Sequence, residues 1–264
     1  MAQPDSIVDL KRYPILDLEA PEGRAVVEDC RRRFLETGLC LLPGFLRPEA
    51  LSAMVEEARA LSTGAHTTEK RSRLDGGGGS DPSTDPRATR ARFGAVAYDR
   101  LGAASQLRTL YEWEGLTKLV AAIVGQPGLS RTVDPLVSCS LSYFGKGDEL
   151  GWHYDSNEAT VSLLLQAADE GGVFEFVPQT RGQGVEDNEA REQAVLEGRP
   201  EGLVQSHLTP GTLSIFNGND ALHRVSPVTG DRGRVIALLN YAAEANYVFN
   251  EAVHMRFFGR TAKA

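Results

Sequence analysis

Cysteine is scarce in this 264-residue chain, limited to Cys30, Cys40 and Cys139, an odd number without CxxC spacing. A disulfide framework or a zinc knot needs paired or clustered thiols, so the sequence argues against both. Small buried hydrophobes in a reducing cytosol are the expectation for all three. Long apolar runs are missing too: nothing approaches the roughly 20 residues that cross a bilayer. The opening Met1-Ala2-Gln3-Pro4-Asp5 lacks the basic region and apolar run of a secretory signal, so a cytoplasmic protein without a membrane partner is expected. Basic charge is in deficit, with 28 Lys and Arg against 36 Asp and Glu, a net charge of −8 and a pI near 5.2. An acidic surface repels polyphosphate, which argues against a nucleic-acid partner.

What is present is ordinary globular material, 41% hydrophobic and 24% charged. The length suits one large core, or a core with a helical annex. The expectation is one domain over residues 1–264, with mainly helical support over 1–130 and the core over 131–264. Residues 22–39 carry Val26, Val27, Cys30, Phe34 and Leu35 near helical spacing. Pro48 opens a second helix to about Leu61, with Leu51, Met54, Val55 and Ala58 on one face. A third helical region covers residues 105–124. Between them, residues 63–92 include Gly76-Gly77-Gly78-Gly79 and read as a surface loop or a lid over a pocket.

From residue 136 the period changes. Short apolar runs at 136–144, 160–166, 173–177, 203–207, 212–216, 223–228 and 234–241 are split by turn signals such as Glu170-Gly171-Gly172 and Pro210-Gly211. That spacing predicts a mainly β fold with helices, a double-stranded β-helix or jelly-roll core with N-terminal helical support. Residues 183–199 interrupt it with a polar helical insertion, expected to be solvated. A short helix over 250–258 is expected to close the side of the barrel.

The sharpest motif is His153-Tyr154-Asp155. Residues two apart on an extended segment point the same way, so His153 and Asp155 can grip one ion. His223, at the start of another predicted strand, supplies a third ligand. Two imidazoles and one carboxylate on one face of an octahedron leave three positions open, the arrangement of non-haem iron(II) oxygenases. His66, His207 and His254 read as structural. A dicarboxylate co-substrate needs a cation at its far end, and an arginine fork donates two parallel hydrogen bonds to a carboxylate. Arg234 opens a strand on which Ile236, Leu238 and Asn240 share its face, so it is preferred to Arg232 in the preceding turn. Asn240 would then lie near the substrate. Arg131, Asp134, Ser140, Glu149 and Glu158 are further candidates for polar contacts to a small-molecule substrate.

At these residues the chain resembles the standalone iron(II)/2-oxoglutarate oxygenases that include free-amino-acid halogenases and their hydroxylase relatives. The resemblance rests on Leu110-Tyr111-Glu112-Trp113, Asp134-Pro135-Leu136, Gly147-Asp148-Glu149-Leu150-Gly151-Trp152-His153-Tyr154-Asp155 and Thr160-Val161-Ser162-Leu163-Leu164-Leu165-Gln166. It continues in Gly171-Gly172-Val173-Phe174-Glu175-Phe176, His223-Arg224-Val225-Ser226-Pro227-Val228 and Phe257-Phe258-Gly259-Arg260-Thr261. It implies a double-stranded β-helix, Fe(II), 2-oxoglutarate as co-substrate, O2, and oxidation of an unactivated C–H bond of an amino acid or a derivative, with release of succinate and CO2. By position it implies that Tyr143 reaches the co-substrate pocket, with Gln166 and Thr160 on a shared strand face beside it. Halogenases of the family have a small residue where this chain has Asp155. Retention of the carboxylate implies a hydroxylase, with desaturation, epimerisation or cyclisation as other outcomes of the same cofactors. A cupin-like protein that binds a metal or ligand without turnover is the alternative from another class.

Overall fold

Proline starts the first three helices, α1 (Pro4–Ile7), α2 (Pro21–Thr37) and α3 (Pro48–Leu61). Its missing N–H and fixed φ suit a first helical turn. The computed structural model describes residues 3–72, 88–156, 159–181 and 188–262. After α2 comes β1 (Leu39–Leu42), and after α3 the strands β2 (His66–Ser72) and β3 (Thr89–Val96). The expected loop over 63–92 is thus a hairpin along much of its described length, with β2 and β3 paired from His66↔Ala95 to Ser72↔Thr89. Alternating burial of Ala91, Phe93 and Ala95 holds β3 in the sheet. The glycine run 76–79 lies outside the described residues.

The helical region expected over 105–124 is two helices, α4 (Gln106–Glu112) and α5 (Glu114–Val124). Ser105 caps the first by accepting the Arg108 N–H. Trp113 is extended between them (φ −71°, ψ 119°). Its ring lies where a Cβ on Gly115 would fall, 2.3 Å from Trp113 Cε2, so ring packing breaks the helix.

The β-rich half runs β4 (Ser130–Arg131), β5 (Cys139–Phe144), β6 (Glu149–His153), β7 (Thr160–Gln166), β8 (Phe174–Val177), α6 (Asn188–Leu196), β9 (Val204–Ser206), β10 (Leu213–Phe216), β11 (Leu222–Val225), β12 (Arg234–Leu239), β13 (Tyr241–Ala242) and α7 (Glu251–Phe258). Strand order is β1-β10-β7-β12-β5-β3-β6-β11-β8-β9, with β2 beside β3 and a separate β13-β4 pair. All pairings are antiparallel. The sheet curls on itself into a jelly-roll core. Phe144, Leu164 and Ile236 from one side pack in one cluster with Val225 and Val228 from the other. β3 joins the two sides, pairing with β5 at Gly94–Val96 and with β6 at Ala91–Arg92.

The outer face of β1, β10, β7, β12 and β5 packs on α1 to α5 through residues such as Cys40, Leu163, Ile215, Ala237 and Leu239. Cys30, Cys40 and Cys139 are free thiols in this layer. α7 is pinned by its buried His254, whose Nε2 lies 2.7 Å from the buried Asp134 carboxylate. The insertion differs from its expectation. Val195 of α6 is 3% exposed and packs with Trp152, Val177 and Leu222. Tyr154 donates to Glu192 at 2.8 Å, and Arg181 lies 3.5 Å over the Tyr154 ring. Burying each apolar side chain in this cluster contributes about 1.5–3 kcal/mol, which explains why a polar-looking segment docks. Among the described residues no helix is long and apolar enough to cross a membrane.

Candidate metal centre

His153 ends β6 and faces His223 of β11 directly across the ladder. Opposed residues on antiparallel strands put their side chains on one face, and the two imidazole centroids are 4.1 Å apart. Asp155 follows two residues after His153, past the end of the strand, and turns to the same side. Its Oδ1 lies 3.6 Å from His153 Nε2 and its Oδ2 lies 3.4 Å from His223 Nε2. One donor atom from each of the three residues falls within a 4.8 Å cluster.

Each imidazole is oriented by the carbonyl two residues before it. His153 Nδ1 is 2.8 Å from the Gly151 carbonyl, and His223 Nδ1 is 2.9 Å from the Ala221 carbonyl. A carbonyl only accepts, so each Nδ1 carries a hydrogen, and Nε2, the atom turned toward Asp155, is the one placed to ligate a metal. Burial lowers the His153 pKa, the neighbouring His223 lowers it further, and Asp155 only partly offsets them. Burial alone would raise the Asp155 carboxyl, but His223 and His153 outweigh it and hold it well below the ordinary range. Neutral imidazoles and an ionised carboxylate are the states that ligate a metal.

A divalent first-row metal takes N and O donors at about 2.0–2.2 Å, so adjacent donors around an octahedron stand about 3 Å apart. The observed separations need only a small contraction, and an N2O donor set suits iron(II). The His153 and Asp155 side chains keep 27% and 23% of their exposure, whereas His223 keeps 5%. The centre therefore opens on one side. Phe216 lies 4.9 Å edge-on to the His223 ring, and Phe174 and Phe176 pack behind it.

Arg234 opens β12 opposite Phe144 of β5 and is 4% exposed. Its face carries Ile236, which packs between the two sides of the sheet. Nη1 donates to the Gly172 carbonyl at 3.3 Å, and Nε has no partner. Burial pulls the guanidinium down to about 10. No carboxylate lies within ion-pair distance among the described residues. A buried cation without an anion is costly.

The remaining candidates divide. Thr160 donates to Asp155 Oδ2 at 2.5 Å. Gln166 donates to the carbonyl of Gly233, the residue before Arg234, at 2.8 Å. Ser140 sits between the sheets opposite Leu238, which is opposite Ser162, which is opposite Ser214. These serines and Ser142 are at most 9% exposed.

Tyr143 lines a cavity with Gln166 and Arg234, from the helical side of the sheet. It pairs with Val235, alternate to Arg234, and packs against the helical layer with its hydroxyl 2.7 Å from the Ala58 carbonyl. Strand alternation turns it away from the interior. The Asn240 amide donates to the Val137 carbonyl at 2.7 Å. Arg131 stacks over Tyr111, 5.8 Å from the ring centroid. It pairs with Tyr241, whose ring belongs to the outer layer.

Arg232 donates to the Ala167 carbonyl at an exposed turn, as its place after Gly230-Asp231 suggests. Glu149 pairs with Arg90 at 3.3 Å. Glu158 lies outside the described residues. His66 packs against Gly259, and His207 is exposed. The three phenylalanines were not singled out as site residues in the sequence. Phe174 and Phe176 are two apart on β8, and that alternation, within the Gly171-to-Phe176 motif, was their signal.

A model of the family described as halogenase D (HalD) matches residues 23–255. Among solved structures, AviO1 from Streptomyces viridochromogenes Tue57 aligns with a TM-score of 0.57 at 18% identity, over 83% of this chain and 95% of that one. SnoN, a non-heme alpha ketoglutarate dependent epimerase from nogalamycin biosynthesis, aligns with a TM-score of 0.57 at 19% identity, over 83% of this chain and 81% of that one. A 2OG-Fe(II) oxygenase family protein from Burkholderia pseudomallei aligns with a TM-score of 0.50 at 17% identity, over 83% and 91%. At these identities the likeness is one of fold. No curated protein matches the chain.

Proposed function

We propose, for a chain that belongs to the halogenase D family and is an enzyme of the iron/2-oxoglutarate oxygenase superfamily, that it hydroxylates an unactivated C–H bond of a small molecule, an amino acid or a derivative of one. His153, Asp155 and His223 would hold the iron, which supplies the oxidation of the substrate with O2 as 2-oxoglutarate is converted to succinate and CO2.

The observation that carries this reading is Arg234. It is buried, cationic and without an anionic partner among the described residues, inside the same sandwich that holds the triad. A protein that only stores a metal does not need a buried cation there. A dicarboxylate co-substrate would supply the missing anion, and the fork would take its far carboxylate through two parallel hydrogen bonds. Gln166 holds the Gly233 carbonyl and so fixes the chain entering Arg234. Hydroxylation is preferred to halogenation because Asp155 occupies the position where halogenases of this family have a small residue. A carboxylate on the ion leaves no place for a halide beside the co-substrate and oxygen. Thr160 favours retention of that carboxylate by hydrogen bonding to it.

The test is anaerobic addition of iron(II) and 2-oxoglutarate to metal-free protein, read by visible absorption. Chelation of the keto acid is expected to give a weak charge-transfer band that disappears in His223→Ala. Iron binding without a band would sink the oxygenase reading in favour of a cupin-like binding protein. Product mass then decides the reaction: a gain of one oxygen for hydroxylation, no change for epimerisation, a loss of two hydrogens for desaturation or cyclisation.

A further inference from the structure

Asp155 is held far more tightly than the end of a strand requires. Its N–H donates to the Gly218 carbonyl at 2.9 Å, which ties the segment after β6 to the turn between β10 and β11. Its Oδ2 accepts from Thr160 Oγ1 at 2.5 Å. Thr160 opens β7 and is fixed in turn by pairing with Phe216. On the other flank the carboxylate lies directly over Gly218. A Cβ added there would fall 2.1 Å from Oδ2, 2.7 Å from Cγ and 2.9 Å from Cβ of Asp155. Real Cβ atoms do not approach so closely, and all three nearest atoms belong to this one side chain. One neighbour therefore pulls on the carboxylate and the other makes room for it.

We infer that Thr160 and Gly218 are positioning residues that fix the Asp155 carboxylate against the two imidazoles and so decide whether this centre keeps a protein carboxylate on its metal. The inference rests on the reading of His153, Asp155 and His223 as iron ligands and adds what keeps the weakest member of the set in place. Both histidines are oriented by the carbonyls two residues before them in the chain. Among the described residues the Asp155 backbone bonds to the Gly218 carbonyl and, at 3.5 Å, to the Asn219 amide, and the Thr160 hydroxyl is its side-chain anchor. A carboxylate freed from that hydroxyl swings about its χ angles, and the ordering lost is repaid when the metal binds. Partners of this kind change metal affinity about 10–100-fold. Gly218 acts by exclusion: any side chain there occupies the volume in which the carboxylate sits, so the carboxylate is displaced from the imidazoles.

The experiment measures manganese(II) binding to the full-length metal-free protein, alongside its thermal melting, so that no turnover is needed. Thr160→Val, which keeps the shape and removes the donor, is expected to weaken manganese(II) binding at least about tenfold with little change in the metal-free Tm. Thr160→Ser is expected to restore it. Gly218→Ala is expected to weaken binding and lower the Tm. In an Asp155→Gly background the same Gly218→Ala change is expected to leave the Tm unaltered, since the clash partner is gone. Thr160→Val binding metal like the unaltered protein would overturn the role of the hydroxyl. A Tm loss from Gly218→Ala that persists without the Asp155 side chain would overturn that of the glycine, and it decides the matter even if the single variant folds poorly. If the unaltered protein fails to bind manganese(II) and iron(II), the ligand assignment itself falls, a result distinct from either of these.

Discussion

Replacing Arg234 with methionine is expected to stabilise the ligand-free protein while crippling its hold on 2-oxoglutarate. Burial brings the guanidinium from 12.5 to about 10, and at about 1.4 kcal/mol per unit that is a destabilisation of about 3 kcal/mol. The folded value lies below the unfolded one. The penalty is therefore fully present at every pH below about 10 and is relieved only as pH rises through it, so it operates undiminished at neutrality. Methionine fills a similar length without charge. It also strands the Gly172 carbonyl that Nη1 serves, returning about 1 kcal/mol. The net gain is about 2 kcal/mol, and a chain of this size converts that to a Tm rise of roughly 4–8 °C. Co-substrate affinity moves the other way. Loss of one partner of a buried charge pair costs about 2–5 kcal/mol, so 2-oxoglutarate should bind at least roughly 30-fold more weakly. Scanning calorimetry of the manganese(II)-loaded protein with and without 2-oxoglutarate reads both effects. A variant that melts lower than the parent and keeps its stabilisation by 2-oxoglutarate would refute the assignment of Arg234 and the electrostatic reasoning behind it.

Tyr143→Phe loses the bond to the Ala58 carbonyl and is expected to destabilise the fold by about 1 kcal/mol in a denaturant titration, with 2-oxoglutarate affinity unchanged; a large fall in affinity would place Tyr143 in the pocket after all. Asp134→Asn is expected to cost about 3 kcal/mol, because Asp134 is fully buried and accepts from Leu136 N, Val137 N and Phe249 N beside His254. Burial pushes the Asp134 carboxyl up, but those hydrogen bonds prevail and hold it below its ordinary value. Its contribution is thus present above about pH 4 and lost as pH falls through the folded value, and acid unfolding of the asparagine variant should show a flatter limb. Asp155→Gly is expected to admit chloride to the iron centre, seen as a chloride-dependent shift of the charge-transfer band, whereas the parent band should not respond to chloride.

The triad was visible before any fold was known because its geometry needs only local alternation: His153 and Asp155 are two apart, and His223 begins an apolar run. The same alternation picked out Arg234 with Ile236. It also sets Tyr143 on the other face from Arg234, since Tyr143 is opposed to Val235, but strand register is a non-local property that no local pattern carries. The surroundings of Asn240 and Arg131 were hidden for a related reason. Their partners, the Val137 carbonyl and the Tyr111 ring, arrive from other elements, and nothing around either residue in the chain announces them. The β2–β3 hairpin was hidden by the glycine run inside it and by the mixed polarity of residues 66–72, where burial falls chiefly on Thr68. Gly218 illustrates the limit most plainly. A glycine in a turn reads as a turn residue, and only the carboxylate lying over it gives it a second meaning.

On the segment from Trp152 to Asp155, props and ligands take turns. Trp152 and Tyr154 reach outward to Leu222, Val195 and Glu192, while His153 and Asp155 reach inward. Insertion or deletion of a single residue in this stretch would turn the tryptophan and tyrosine toward the metal and the histidine and aspartate toward α6, losing both functions together. Divergence among descendants of such a chain is therefore confined here to replacement at fixed length. A change of reaction that comes from exchanging Asp155 for a smaller residue is one of the few moves this segment leaves open to natural selection.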